Sequence, residues 1–287
     1  MESGERTLGT MAQLTCLSFH FFYHQQPDIL LVQLYRLIHY LEKQQELHHY
    51  FFIRYAEGGP HLRVRLFVDV NHTSKVRSLV MLLADRASLV KQVEIVDYQP
   101  EVDRYGGLEH IGYAPYIFHI SSETIFAYLA DKKFYRIPNR LHIAFGLHYL
   151  FLKAMNCAPE EITSVLQDFI KQWLPMIYRK PLSKDETDNL YMSFKKSFLP
   201  QQAIFKQVLR HLIDQAEVSN FNDAVLTSYY IQTKCYAAHY QKLSTEKRST
   251  IFNSFMHMTN NRLGIPNMEE AFVAYLLLQT LQSIKHA

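Results

Sequence analysis

Apolar residues in the first hundred positions recur with two different periods. Three stretches rich in aromatic and β-branched side chains predict strands, the middle one a hairpin around a Glu-Gly-Gly-Pro turn: 14–23, 50–68 and 93–98. Two others repeat Leu, Ile and Val three and four positions apart, which predicts amphipathic helices, the second with Thr73 as its N-cap: 29–46 and 73–89. The predicted order of elements is therefore βαββαβ.

Beyond about residue 108 the pattern becomes helical and shows no fixed repeat. Prolines and acidic first turns help to mark predicted helices at 122–131, 138–156, 159–173, 184–196, 201–217, 221–240, 245–262 and 269–284. We therefore expect an α+β fold, in which a ferredoxin-like antiparallel sheet packs against a mainly helical C-terminal region. Residues 14–107 would form the ferredoxin-like part and 108–287 the helical part of one compact domain. Residues 1–13 are expected to be disordered or a leader added for expression.

The second strand of the predicted hairpin carries charged residues on one face only. Side chains alternate along a strand, so His61, Arg63 and Arg65 share a face opposite to apolar neighbours. The two guanidinium groups lie about 7 Å apart along the strand and repel each other. Two interpretations stay open at this point: a polar face in water with carboxylate partners nearby, or a site for an anion beside a glycine turn that permits close approach.

Two more residues are candidates for chemistry. Arg104 lies in a loop of charged residues that ends in Gly-Gly, and it is either a surface residue in a salt bridge or a functional one. His257 lies near the end of a predicted helix, where it shares a face with several Asn residues but is flanked by Phe and Met. That face is either solvent-exposed or a setting in which the histidine acts as an acid or base.

Composition excludes several classes of function. The 287 residues carry a net charge of only +3 and no basic run, which gives no support for nucleic-acid binding. The 15 histidines are scattered without the spacing of a zinc site, so neither a metal nor a cofactor is expected. Three isolated cysteines, no signal-peptide pattern and no apolar run long enough to cross a bilayer indicate a cytoplasmic protein without a membrane segment.

Three separate blocks of sequence, in order, carry a family resemblance. They are FFIRY at 51–55 followed by EGGPHLRVR at 57–65, then YQPEVDRYGG at 98–107, and finally HMTNNRLG at 257–264. Together they resemble the C-terminal domain of class I lanthipeptide dehydratases, in the stand-alone form labelled a thiopeptide-type bacteriocin biosynthesis protein. The resemblance extends from about Leu14 to the end of the chain.

The resemblance implies a lyase that eliminates glutamate. A separate tRNA-dependent enzyme would first esterify Ser or Thr of a ribosomally made precursor peptide with glutamate. This domain would then leave dehydroalanine or dehydrobutyrine. Carried over to this sequence, the family's catalytic residues are Arg63, Arg65, Arg104 and His257, with the histidine as base or acid. Six further residues of the same blocks are candidates for substrate binding: Arg54, Glu57, His61, Tyr105, Asn261 and Arg262.

Departures from the family pattern and two rival functions complete these expectations. Ala56 stands where the family often has a large aromatic residue, and Gln99 where it often has Glu, so the position of the peptide is in doubt. One rival is the pyridine synthase of thiopeptide pathways, which joins two dehydroalanines by a formal [4+2] cycloaddition. The other is a non-catalytic module that captures the precursor peptide, with 14–23 as an edge strand for β-augmentation. Whether the protein forms a homodimer is left open.

Overall fold

A computed structural model describes residues 14–130 and 137–285. The fold is α+β and mostly helical, with one small four-stranded antiparallel sheet. The strands are β1 (Leu14–Tyr23), β2 (His49–Tyr55), β3 (His61–Asp69) and β4 (Val90–Ile95). Helices α1 (Pro27–Lys43) and α2 (Thr73–Arg86) separate them in the order βαββαβ. The predicted leader at 1–13 lies outside the described residues.

The remaining helices follow the sheet in sequence. They are α3 (Ala114–Ala130), α4 (Ile137–Ala154), α5 (Pro159–Trp173), α6 (Lys184–Phe198), α7 (Gln202–Glu217), α8 (Ala224–Lys234), α9 (Ala237–Tyr240), α10 (Thr245–Leu263) and α11 (Asn267–Lys285). In the part of the chain that the structure describes, none of these helices combines the length and the apolar content that a bilayer requires.

The contacts within the chain divide it into two compact units. The first unit holds the residues up to Tyr50 together with Tyr55–Tyr98, and so contains most of the sheet with α1 and α2. The second unit holds Phe51–Arg54, from the middle of β2, together with the chain from Gln99 onward. The predicted division at residue 107 and the single compact domain stay predictions.

Strand β1 lies inside the sheet, whose order is β2-β3-β1-β4. It pairs antiparallel with β3, from Leu14 opposite Asp69 to Phe22 opposite His61, and on its other side with β4. The prediction that 14–23 is an edge strand open to a peptide was therefore wrong. An apolar, alternating pattern alone does not show whether one or both edges of a strand are paired.

Alternation along β1 and β3 gives the sheet two different faces. Leu17, Phe19 and Phe21 lie opposite Leu66, Val64 and Leu62, and all six side chains are buried on the apolar face. The polar face carries Ser18, His20 and Phe22 on β1, opposite Arg65, Arg63 and His61 on β3. The predicted alternation of β3 is thus confirmed.

Element boundaries differ from the predictions where local signals compete. Strand β4 begins three residues before the predicted 93, and most of its side chains are exposed, so its apolar content was a poor guide. Thr73 is the first residue of α2 and not its cap; its hydroxyl donates to the Val70 carbonyl. Helix α3 begins at Ala114, eight residues before the predicted start. The segment predicted at 221–240 is two helices, α8 and α9.

Candidate active site

Arg63 is held on the polar face of the sheet by two aromatic rings. Its Nε donates to His61 Nε2 at 3.1 Å, and its guanidinium carbon lies 3.4 Å from the centre of the Tyr55 ring. Cation–π contact and one hydrogen bond fix the plane of the group while leaving its terminal nitrogens to other partners. The geometry therefore presents a guanidinium that is oriented but not neutralised.

His61 supports Arg63 in one defined tautomer. Its Nδ1 lies 2.8 Å from the Gly59 carbonyl, which can only accept, so Nδ1 carries the proton. Nε2 must then be the acceptor, because the Nε of an arginine can only donate. The ring is buried, and it stacks on His20 with 5.1 Å between ring centres.

Arg65 is buried and has no carboxylate partner among the described residues. Its side chain sits beside the Tyr98 ring, and neither Nε nor Nη1 finds a hydrogen-bond acceptor within the described part of the chain. Burial, followed by repulsion from Arg63, lowers the pKa of the Arg65 guanidinium to about 10. The predicted alternative of arginines neutralised by nearby carboxylates does not apply to this strand, since neither Arg63 nor Arg65 forms an ion pair in the described ranges.

His20 is the neighbour of these arginines on β1. Burial, Arg65, Arg63 and His61 together lower the pKa of His20 to about 4, so the ring is neutral at physiological pH. Cys16 lies four residues earlier on the same face and is half-buried, and this burial raises the pKa of its thiol to about 12. Glu94 on β4 lies directly opposite His20 in the β1–β4 register, and its exposed carboxylate accepts from the Gln92 amide. Arg63, Arg65 and His20 form no ion pair with it within the described residues.

His257 belongs to the second unit and is bonded to a carboxylate. Its Nδ1 lies 2.9 and 3.0 Å from the two carboxyl oxygens of Glu270, and its ring stacks on Trp173 with 4.2 Å between ring centres. Helix α10 supplies the histidine and α11 the glutamate, and the left-handed Gly264 between them lets the chain reverse. The ring is therefore fixed at Nδ1, while Nε2 makes no hydrogen bond within the described residues.

Glu270 is fully buried, and burial affects the pKa of its carboxyl group. Its second hydrogen bond comes from Asn260 Nδ2 at 3.1 Å. Burial raises the pKa of the carboxyl, and the bond from His257, the bond from Asn260 and the charge of Arg104 oppose that rise. A carboxylate that accepts from Nδ1–H orients the ring and leaves Nε2 as the nitrogen without a proton in the neutral histidine.

Sequence reasoning missed Glu270, because acidic residues at the start of a helix are usually explained by the helix dipole. It also missed Trp173, which gives no local signal of its role. Asn260 is one of the Asn residues that the sequence places on the face of His257, but its bond to Glu270 is visible only in the structure. The distance in sequence between His257 and Glu270, across a Gly-Ile-Pro break, is the one clue that a helical hairpin would bring them together.

Arg104 lies in a short 3₁₀ helix at Asp103–Tyr105, and two contacts orient it. Its Nη1 donates to Glu101 at 2.9 Å in a largely exposed ion pair, and its Nε donates to the Ser254 hydroxyl at 3.2 Å. Ser254 lies on α10, one turn before His257. Arg104 also lines a cavity of about 470 Å³ in the second unit, between its own loop and the first turns of α10.

The other predicted substrate-binding residues make contacts within the chain. The Asn261 amide pairs with both backbone groups of Arg54, at 2.9 and 2.8 Å, and the Arg54 side chain donates to the Arg262 carbonyl. Arg262 is fully buried and donates to Ser122 Oγ and to the Met258 carbonyl. Their contact with a substrate stays a prediction.

Tyr105 and Glu57 occupy different settings. Tyr105 is buried against Phe118 and Phe255. Glu57 is exposed in the β2–β3 turn, where it accepts from the Tyr55 hydroxyl at 2.9 Å. Within the described ranges, no group of three or more His, Cys, Asp or Glu residues is placed to hold a metal ion.

Comparison with known proteins adds a family to this geometry. The family described as "Lantibiotic biosynthesis dehydratase C-term" matches residues 17–281. The epidermin biosynthesis protein EpiB of Staphylococcus epidermidis is 24% identical over 246 residues, which is 83% of this chain and 22% of EpiB. The chain therefore spans about a fifth of the length of this relative.

Solved structures share the fold. The tRNA-dependent lantibiotic dehydratase MibB from Microbispora sp. 107891 matches 99% of this chain and 29% of its own, with a TM-score of 0.62 and 18% identity. TsrL covers 96% of this chain and 96% of its own, with a TM-score of 0.67 and 12% identity. TbtD, the pyridine synthase from thiomuracin biosynthesis, covers 94% of this chain and 99% of its own, with a TM-score of 0.66 and 14% identity. With the family match across nearly its whole length, the chain belongs to the C-terminal domain family of the lantibiotic dehydratases.

Proposed function

We propose that this chain eliminates glutamate from glutamylated Ser or Thr residues of a ribosomally made precursor peptide. The products are dehydroalanine or dehydrobutyrine and free glutamate. The observation that carries the proposal is the His257–Glu270 pair, in which the carboxylate holds Nδ1 and leaves Nε2 without a partner in the described chain. Family membership supports the same reaction.

The reaction needs one base and no redox partner. Nε2 of His257 takes the proton from Cα of the esterified residue, and the electrons of that bond delocalise onto the peptide carbonyl as an enolate. The enolate collapses to form the Cα–Cβ double bond as the Cβ–O bond breaks, and the glutamyl group departs as a carboxylate, which needs no proton to leave. Glu270 stabilises the imidazolium that forms. The open question of base or acid is thereby answered as base in this proposal.

The arginines bind the negative charges of the reaction. Arg63 and Arg65 offer guanidinium groups without carboxylate partners in the described chain, which suits the carboxylate of the glutamyl group. Arg104, oriented by Glu101 and Ser254, would stabilise the enolate oxygen of the peptide. His61 acts by positioning Arg63.

The remaining predicted residues have lesser tasks in this proposal. Asn261 and Arg262 support the end of α10 from within, and Arg54 anchors to them. Glu57 and Tyr105 would act on the peptide only indirectly, through the residues that they contact. The partner is a separate tRNA-dependent glutamylating enzyme in the same cytoplasm, and the first unit would take the ferredoxin-like arrangement, which its element order and strand order support. A homodimer is not part of the proposal.

Pyridine synthesis is the second candidate, because TbtD covers 94% of this chain and is itself covered almost completely. That likeness concerns the fold. A cycloaddition has no carboxylate to bind, so it does not account for Arg63 and Arg65, which form no ion pair within the described residues. These arginines also argue against a non-catalytic module that only captures the peptide. Such a module would have no need of a buried guanidinium that lacks a partner in the described chain.

The test is mass spectrometry of a synthetic peptide carrying a glutamylated Ser, incubated with the protein and with His257→Ala. Loss of one glutamate per modified residue from the wild-type reaction, with the variant inactive, supports elimination. A second peptide, which carries a leader and two dehydroalanines, is incubated in parallel, and loss of its leader with gain of a ring identifies the cycloaddition. An unchanged glutamylated peptide rejects elimination, and an unchanged dehydroalanine peptide rejects the cycloaddition.

A further inference from the structure

Four polar atoms on the polar face of the sheet are buried and lack a hydrogen-bond partner among the described residues. They belong to three side chains: Ser18 Oγ, His20 Nε2, and Nε and Nη1 of Arg65. Buried polar groups in native proteins are nearly always hydrogen-bonded, because each unpaired one costs about 1–3 kcal/mol. A concentration of four therefore calls for an explanation beyond chance.

The four atoms come from adjacent positions of two paired strands. Ser18 lies directly opposite Arg65, and His20 lies directly opposite Arg63, in the β1–β3 register. Cross-strand neighbours on one face have Cβ atoms about 5 Å apart. Ser18 and Arg65 are 2% and 7% exposed, so bulk water does not supply the hydrogen bonds that their side chains lack.

All three groups are able to donate a hydrogen bond. A serine hydroxyl and a guanidinium donate directly, and a neutral imidazole donates from Nε2 once that tautomer is selected. The neutral state of His20 is ensured by burial and by the two arginines, which lower its pKa to about 4. The carboxylate of Glu94, opposite His20 on β4, is bonded to Gln92 and to none of these donors. Adjacent buried donors without an acceptor in the described chain therefore leave a place for an anion with several oxygen atoms.

We propose that Ser18 and His20 complete, with Arg65, a built carboxylate site on the polar face of the sheet, and that its ligand is the γ-carboxylate of the glutamyl group. This proposal rests on the proposed function for the identity of the ligand, although not for the existence of the site. Arg65 supplies the charge, Ser18 and His20 bond the second oxygen, and Arg63 stands next in the row with its own ring contacts. Ser18 and His20 are thus residues of substrate specificity, not of proton transfer.

The experiment compares L-glutamate with L-glutamine, which has nearly the same shape but no γ-carboxylate. Binding of each to the full chain is measured by calorimetry for the wild type and for the double variant Ser18→Ala/His20→Phe. The KM and kcat for a glutamylated Ser peptide are measured in parallel. Matched controls are Ser78→Ala on α2 and His24→Phe just after β1, both at exposed positions.

The expected result is that the wild type prefers L-glutamate and that the double variant raises KM at least tenfold with a smaller change in kcat. The ligand-free double variant should be as stable as the wild type or more so, because it loses unpaired polar groups and no hydrogen bond. A structural role for the two side chains would instead lower the Tm. His20→Gln, which keeps an amide donor, should recover part of the affinity.

A KM within twofold of the wild type, or equal binding of both amino acids, would overturn the proposal. Failure of this proposal differs from failure of the proposed function. If glutamate is eliminated equally by the wild type and the double variant, only the carboxylate site is wrong. If no elimination occurs but glutamate binding depends on Ser18 and His20, the site stands and the proposed reaction is wrong.

Discussion

The two units of the chain each contain a candidate histidine and at least one candidate arginine, yet the environments of the two histidines are opposite. In the first unit, His20 lies among Arg63 and Arg65 with no carboxylate bonded to any of them in the described chain. In the second, His257 is bonded to the buried Glu270, and Arg104 has its own carboxylate in Glu101. The difference is one of partners rather than of residue types.

The contrast shows how partners decide the chemistry of a histidine. Burial and the nearby cations keep His20 neutral, and we propose that it serves as a hydrogen-bonding group beside an anion. The carboxylate at Nδ1 of His257 leaves Nε2 without a partner in the described chain, and in the proposed reaction that nitrogen is the base. A motif search that counts histidines and arginines treats these two sites as equivalent, whereas their hydrogen bonds separate them.

The largest expected effect is the loss of the base in the second unit. His257→Ala should lower kcat for glutamate release by about 10³-fold, within the range for general base catalysis, with little change in KM. His20→Phe should do the reverse and act mainly on KM. The measurement is initial-rate release of glutamate from a glutamylated Ser peptide. If the two variants changed kcat and KM in the same way, the proposed division between base and binding group would be wrong.

Glu270→Gln should give the next largest effect. The glutamine oxygen still accepts from Nδ1, so the tautomer persists, but the negative charge that stabilises the imidazolium is lost. We expect kcat to fall about 10²-fold. This is less than the loss seen in catalytic triads, where replacing the carboxylate also changes the tautomer of the histidine. Because burial raises the pKa of Glu270, wild-type activity should fall on acidification through that pKa as the carboxylate becomes protonated. In Glu270→Gln the acid side of the pH profile of kcat should lose the step contributed by Glu270 and keep the fall that comes from protonation of the base itself.

Glu101→Gln is the matched control for that variant, since it removes a carboxylate from an exposed ion pair with Arg104. Exposed pairs contribute only about 0–1 kcal/mol, so its effect on stability should be small and the step contributed by Glu270 should stay. Loss of the same step in Glu101→Gln would assign that titration to a carboxyl other than Glu270.

Local patterns in the sequence were sufficient for most of the fold. Helix α5 begins at Pro159 and ends at Trp173 as predicted, because a proline at its first position and two acidic residues mark its start. Strand β1 also has its predicted bounds. Its place in the sheet was wrong, since pairing on two sides depends on contacts with β3 and β4 that are distant in sequence.

The candidate site could be predicted only in part, for a similar reason. Arg63 and Arg65 were recognisable because two like charges on one strand face are unusual. Glu270 was not recognisable, because its role exists only when α10 and α11 pack as a hairpin. Ser18 gave no signal either, since a serine in an apolar strand is informative only once its hydroxyl is seen to be buried without a partner in the described residues.

Arg65→Met sharpens the comparison through stability and binding together. Removing the guanidinium should raise KM about 10- to 100-fold, as expected when a hydrogen bond to a charged group is lost. The ligand-free variant should nevertheless be no less stable, because a buried cation without a partner in the described chain is replaced by an apolar side chain of similar length. Urea unfolding and peptide kinetics on one preparation test both halves. A variant that unfolds more easily would mean that Arg65 has a structural partner.

The smallest expected effect concerns a histidine of the second unit that lacks a carboxylate. His148 is fully buried, and burial lowers its pKa to about 4 from an ordinary value near 6.5. Between these values the unfolded chain binds a proton that the folded chain does not, so the free energy of unfolding falls as the pH drops from 6.5 toward 4. His148→Leu should reduce that fall by on the order of 3 kcal/mol, as measured by urea unfolding at pH 7, 5.5 and 4. Phe169→Leu, which alters a ring packed near His148 without a titrating group, should lower stability equally at all three values. If the free energy of unfolding of His148→Leu fell with pH as steeply as that of the wild type, the comparison would be wrong. Burial without a bonded carboxylate would then not explain how His148 and His20 differ from His257.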